Sequence, residues 1–110
     1  MIQATFRIVP PEEKRGELVE VLFCLKEPTE ATHGCRGCEI LQDLNDRRAI
    51  IWMEHWDSLA ELQEHIRSER FRAMLPYIEL SVIPPKVAVD RIDSLQGIDF
   101  LVNTLVSRPS

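Results

Sequence analysis

Residues 38–56 read CEILQDLNDRRAIIWMEHW. The stretch from Cys38 to Leu44 has the composition of a strand, and Arg48 to Trp56 is rich in β-branched and aromatic residues. Between them, Leu44-Asn45-Asp46-Arg47 reads as a tight turn, because Asn and Asp tolerate left-handed backbone. The two runs therefore predict a β-hairpin. In the second strand both alternating sets are apolar: Ile50, Trp52 and Trp56 on one side, Ala49, Ile51 and Met53 on the other. A strand apolar on both sides needs both sides covered.

On the N-terminal side, Gln3 to Val9 alternates at Phe6 and Ile8 as a strand that Pro10-Pro11 ends. Glu12 to Lys26 carries Leu18, Val21, Leu22 and Leu25 at helical spacing, with Pro28 just beyond, where a helix should have stopped. Thr29 to Gly37 reads as a loop. On the C-terminal side, Asp57-Ser58 followed by Glu61 is a capping box, opening a helix whose apolar face is Leu59, Leu62 and Ile66. Ser68 begins a further turn with Phe71, Met74 and Leu75. Glu79 to Val89 alternates as a strand, and Pro84-Pro85 inside it requires an edge or a bulge. Ser94 to Val106 predicts a C-terminal helix through Leu95, Ile98, Leu101, Val102 and Leu105.

The order β-α-β-β-α-β is the ferredoxin-like split unit of the α+β class, an antiparallel four-stranded sheet with two helices on one face. The uncovered face predicts self-association, most simply a two-fold homodimer with sheets packed face to face. Residues 1–90 are expected to form this domain, and residues 91–110 an extension packed on it or on the partner.

The 110-residue length fits one domain, and 45% hydrophobic with 28% charged residues excludes a disordered chain. A net charge of −5 and a pI of about 5.2 argue against nucleic acid and anionic membrane as partners. No apolar run reaches the ~18 residues of a membrane span. MIQATFRIVPP has no signal-peptide pattern, and three cysteines suit free thiols in a reducing compartment, so the expected location is the cytoplasm.

Three runs then stand out: GCRGCEILQDL, WMEHWDSLAELQEHIRSERFRAML and LSVIPPKV. Together, over roughly Ile2 to Val89, they resemble the antibiotic biosynthesis monooxygenase family, including its quinol monooxygenases. The pieces that carry the resemblance are the Gly34-Cys35 strand entry, the Glu54-x-Trp56 strand end, and the His65-x-x-Ser68 turn followed by Phe71. The resemblance implies a dimeric α+β barrel that oxygenates a small phenolic or hydroquinone substrate with O2 and often with no metal or flavin. No cofactor is therefore expected here. Some relatives degrade haem, using an Asn in the first strand and a His in the second helical region. Phe6 and Leu75 stand at those places, which argues against haem degradation. The competing reading from another class is a non-catalytic dimeric small-molecule-binding or stress-response module that keeps the fold.

Such a site needs a proton acceptor, an apolar pocket and a group to steady an oxyanion. His65 lies at the edge of a helical apolar face and is one candidate base; the structural alternative is a histidine bonded to a neighbouring turn. Glu54 shares a strand face with Trp52 and Trp56 and is the other; the alternative is an ion pair with a nearby arginine. Trp52, Trp56, Phe71 and Phe6 are candidates to line a flat pocket, or are simply core. His55 falls on the opposite strand face, towards the dimer contact or the surface. Tyr77 offers a hydroxyl but follows Pro76 at a helix end, a position read as exposed. His33, Cys35 and Cys38 supply three potential ligands where a structural zinc site needs four, so no metal is expected. The run ELQEHIRSERFR reads as a solvated helix face.

Overall fold

The computed structural model describes residues 1–94 and 97–107. Its strands are β1 (Ile2–Ile8), β2 (Cys35–Gln42), β3 (Ile50–Trp56) and β4 (Lys86–Arg91). Its helices are α1 (Arg15–Glu30), α2 (Leu59–Ile66), α3 (Glu69–Arg72), α4 (Leu75–Glu79) and α5 (Ile98–Val106). The strands form one sheet in the order β2-β3-β1-β4, and each neighbouring pair is antiparallel. This is the ferredoxin-like arrangement expected from the element order.

Strict alternation places Ile2, Ala4, Phe6 and Ile8 of β1 beside Ile50, Trp52, Glu54 and Trp56 of β3, all buried. Leu18 and Leu22 of α1 and Leu62 of α2 close over them. Gln3, Thr5, Arg7, Ile51, Met53 and His55 face the other way and are half-buried. On β4, Val87 and Val89 share the helix-side face with Phe6 and Ala4, yet both remain exposed, so the helices stop short of this edge.

Several elements differ from the sequence reading. The first helix starts at Arg15 and runs through Pro28 to Glu30. Proline there removes one helical hydrogen bond, to the carbonyl of Cys24, an exposed residue whose backbone water can serve. The final turn holds because the Ala31 N–H bonds the Glu27 carbonyl at 3.0 Å and Thr29 is buried. β2 begins at Cys35, three residues early, with an irregularity between Cys35 and Gly37, where Gly37 adopts a φ of 152°. The β2–β3 connection uses no left-handed Asn or Asp, for among the described residues only Gly34 and Gly37 have positive φ. It is instead a longer turn in which Asp43 Oδ1 accepts the Asn45 N–H at 2.8 Å and Asp46 Oδ1 accepts the Arg48 N–H at 3.2 Å.

The expected strand from Glu79 to Val89 keeps only its last part. Leu75–Glu79 is helical and β4 starts at Lys86, directly after Pro84-Pro85, which have no N–H to give a ladder. The intervening chain is tied to the end of β1: the Val82 N–H bonds the Val9 carbonyl at 2.8 Å, and the Val9 N–H bonds Ser81 Oγ at 3.0 Å. The C-terminal helix forms from Ile98; Leu95, assigned to it from the sequence, lies outside the described residues. None of its residues is buried. Among the described residues no helix is long and apolar enough to cross a membrane.

Candidate active site

Glu54 sits at the middle of the helix-side sheet face. Its cross-strand neighbours are Ala4 on β1 and Cys38 on β2, the small members of rows otherwise filled by Phe6, Trp52 and Ile40 or by Ile2 and Trp56. That leaves room for a carboxylate among large apolar groups. The side chain is fully buried, and its two polar neighbours along β3 are both donors. Trp52 Nε1–H donates to Oε2 at 2.6 Å and Trp56 Nε1–H donates to Oε1 at 3.0 Å.

The third partner comes from above. Ser58 caps α2 two residues after β3 ends, its Oγ accepting the Glu61 N–H at 3.3 Å. Two turns on, the helix returns over β3 and delivers His65. The inward pair of α2 is therefore Leu62 and His65, while Leu59 and Ile66, read from sequence as apolar-face residues, are exposed. His65 Nε2 lies 2.7 Å from Glu54 Oε2, with both side chains buried. Its ring stacks on Trp56, centroids 4.8 Å apart, and meets Phe71 edge-on at 5.6 Å. Phe6 packs against Phe71 at 5.5 Å. The turn after α2 is pinned by Ser68, whose Oγ–H donates to the His65 carbonyl at 2.6 Å and whose Oγ accepts the Phe71 N–H.

The donors fix the chemistry of the cluster. An indole N–H can only donate, so both Glu54 oxygens act as acceptors. With Glu54 ionised, the imidazole bonds Oε2 as a donor, through Nε2–H, and in the neutral ring the lone pair falls on Nδ1. His65 Nδ1 is buried and has no hydrogen-bond partner among the described residues. A base oriented by a buried carboxylate is the arrangement of a proton-abstracting dyad.

His65 also borders a hollow of about 480 Å³. Its walls are Thr32 and His33 from the turn after α1, Ala60, Glu61 and Glu64 with His65 on α2, and Ser68 and Arg70 beyond it. Arg70 Nη1 donates to Thr32 Oγ1 at 2.7 Å, linking two of these walls. Trp52, Trp56, Phe6 and Phe71 gather around the dyad but do not border the hollow. From the sequence Glu61 reads as a cap and, with Arg70, as part of a solvated helix face, His33 reads as a metal-ligand candidate, and Thr32 is only part of a loop. The available signal was the Glu61/His65 spacing of four, which stacks two side chains on one helix face.

The other candidates lie apart. His55 is on the opposite sheet face, Nε2 2.8 Å from Gln3 Oε1. Tyr77, read as exposed, is buried against α1 and donates its hydroxyl to Glu17 Oε1 at 2.9 Å, because α4 turns its ring inward. That bond holds the Glu17 carboxyl below its usual range, while burial first and then Glu17 push the Tyr77 hydroxyl up. Cys35 and Cys38 are free thiols with sulfurs 4.0 Å apart, and burial pushes both thiols up. Among the described residues no three His, Cys, Asp or Glu side chains are gathered as a metal site.

The family model of antibiotic biosynthesis monooxygenases matches residues 1–77. The chain belongs to this family. The matched segment of this antibiotic biosynthesis monooxygenase homologue contains both members of the dyad and the whole wall of the hollow. Solved structures agree on the fold. A conserved protein from Methanosarcina mazei superposes with a TM-score of 0.76 at 24% identity, covering 84% of this chain and 92% of that one. Rv0793 from Mycobacterium tuberculosis does so with a TM-score of 0.76 at 24% identity, over 86% and 98%. A crystal structure of an antibiotic biosynthesis monooxygenase gives 0.73 at 18% identity, over 87% and 100%. At such identities the likeness speaks to fold alone. No curated protein matches the sequence.

Proposed function

We propose that the chain is a cofactor-independent monooxygenase of the cytoplasm that uses O2 to oxidise a small phenol or hydroquinone. His65 Nδ1 takes the phenolic proton, Glu54 orients the ring and balances the charge that develops on it, and Trp52, Trp56, Phe71 and Phe6 form the apolar box around them. An ionised hydroquinone is itself electron-rich enough to reduce O2 directly. One oxygen atom bonds to the ring and the other leaves as water with two hydrogens of the substrate, giving a quinone. The substrate supplies all the electrons, so the balance needs no external reductant. The observation that carries this reading is the 2.7 Å His65–Glu54 bond, which leaves Nδ1 free next to a hollow.

In the same reading residues 1–90 are the catalytic unit and two chains pair as a homodimer through their open sheet faces, with residues 91–110 packed against the domain or the partner. Support comes from the half-buried apolar Ile51 and Met53 on the sheet face away from α1 and α2 and from a C-terminal helix with no buried residue.

One observation favours the second reading, a non-catalytic binding or stress-response module. The aromatic side chains fill the space beneath the helices instead of bordering the hollow. Oxygen uptake with a panel of phenols and hydroquinones separates the two. Turnover by the wild-type chain that drops about a hundredfold or more in His65→Ala fits loss of a general base. No uptake above buffer with any compound supports the binding module.

A further inference from the structure

Cys35 and Cys38 stand at positions i and i+3 of β2. In a regular strand that spacing puts two side chains on opposite faces. The irregularity between Cys35 and Gly37 changes this. Cys35 pairs with Trp56 and Cys38 with Glu54, so three steps along β2 are matched by two along β3. Trp56 and Glu54 share the helix-side face, and the two cysteines opposite them therefore share it too. Their sulfurs lie 4.0 Å apart, and neither thiol takes part in the proton transfer assigned to His65.

Two steps of strand span roughly 6.6 Å, inside the upper end of the Cα separation that a disulfide bridges, ~6.8 Å. The sulfurs must close by about 2 Å to reach a bond length near ~2.05 Å. The chain between them has room to move. Gly37 sits at a φ of 152°, and a Cβ built on it would meet nothing within 4 Å. A hollow of about 530 Å³ borders Arg36, Gly37 and Cys38. Cys38 is buried and Cys35 half-buried, so Cys35 is the thiol that a reagent meets first.

The geometry points to a redox-modification site: Cys35 and Cys38 form a reversible disulfide within the chain, which pulls β2 against the row that holds Glu54 and Trp56. The oxidant is a small-molecule disulfide such as oxidised glutathione. Cys35, as thiolate, attacks one glutathione sulfur; the glutathione S–S bond breaks, and the departing thiolate takes up the proton that Cys35 gave up. Cys38, losing its own proton, then attacks the Cys35 sulfur and expels the second glutathione as a thiol. Two protein thiols are oxidised, and one glutathione disulfide is reduced to two thiols. Burial pushes both thiols up, which keeps the thiolate fraction small and the exchange slow. Cys38 lies across the strand from Glu54, and Trp56, across from Cys35, donates to that carboxylate at 3.0 Å. Closing the pair therefore acts on the group that orients His65, whichever reaction the dyad performs.

The test uses the full chain with Cys24→Ser, because Cys24 is exposed and would link separate chains. The folded protein is equilibrated in glutathione buffers of rising oxidised fraction, quenched in acid, alkylated and weighed. Both alkylation sites should vanish together, in a species lighter than the dithiol by two hydrogen atoms, and dithiothreitol should restore them. The chain has two tryptophans, so indole N–H signals of the 15N-tryptophan-labelled protein report the pull on Glu54. At least one of them should move on oxidation and return on reduction. Adding Cys38→Ser should halt the exchange at one glutathione on Cys35. A glutathione adduct on Cys35 with Cys38 still alkylated at every ratio, no oxidation at all, or a disulfide that forms only in urea each overturn the pairing. A disulfide that leaves both indole signals in place overturns its action on Glu54. If Cys38→Ser does not fold, Cys35→Ser replaces it: Cys38 should then stay free, and a glutathione adduct on it overturns Cys35 as the attacking thiol.

Discussion

At the residue scale the account turns on one carboxylate. Glu54 sits among three N–H groups in a place closed off from solvent, and each of them is buried with it. Such a network is stable only when complete, because a buried donor left unpaired loses its solvation with nothing in return. Glu54→Gln keeps the shape but turns an amide NH2 towards groups that only donate. The expected loss is about 2 kcal/mol in urea unfolding, the cost of a stranded buried donor. A change below about 0.5 kcal/mol, the scale of a neutral surface substitution, would mean the carboxylate is not the centre of the cluster. The residue types were legible: His65 and Glu54 stood out as titratable groups among aromatics. Their partnership was not, since the chain over the eleven-residue separation contains a helix cap and two helical turns whose geometry no spacing rule supplies.

At the element scale the sequence spoke clearly where periodicity and side-chain chemistry agreed. β1, β3, the Ser58 cap and the Ser68 turn all appear where alternation or capping put them. It misled where a breaker's usual effect was overridden. Pro28 was tolerated because it fell in a last turn anchored by buried Thr29, and Pro84-Pro85 started a strand instead of interrupting one. The β2–β3 turn was assigned to left-handed Asn and Asp but is held by aspartate side chains. Arg48 bonds both Asp46 oxygens, at 3.0 and 2.9 Å, and this guanidinium holds the Asp46 carboxyl down at about 2. A carboxyl lowered in the folded chain binds protons later than in the unfolded chain, so the unfolded state gains as pH falls. The turn's contribution is therefore complete above the ordinary aspartate range near ~4 and fades as pH drops towards 2. Acid titration of stability should be shallower in Asp46→Asn across that window. An identical slope would remove the turn from the account.

At the scale of the whole molecule the chain looks unfinished alone. Its radius of gyration is 16.8 Å, against roughly 13 Å for a compact chain of this length. Ile98, Phe100, Leu101, Val102, Leu105 and Val106 of α5 are all half or more exposed. A nine-residue helix is marginal in water without a surface to pack on. Val87 and Val89 are exposed on the helix side of β4, and Ile51 and Met53 are only half-buried on the other face. Sedimentation of the wild-type chain should show twice its 12.7 kDa mass. Met53→Lys with Ile51→Lys should shift it towards the single-chain mass by placing charges in the sheet-to-sheet contact. A folded wild-type monomer at every concentration would overturn the pairing.

On the proposed function, Glu54 fixes the His65 tautomer and leaves Nδ1 without a proton beside the hollow. Nitrogen NMR of the 15N-histidine-labelled chain reads this directly. The account predicts that neutral His65 carries its proton on Nε2, with Nδ1 unprotonated, and that Glu54→Gln disturbs this preference. A neutral His65 protonated on Nδ1 in the wild-type chain would contradict it.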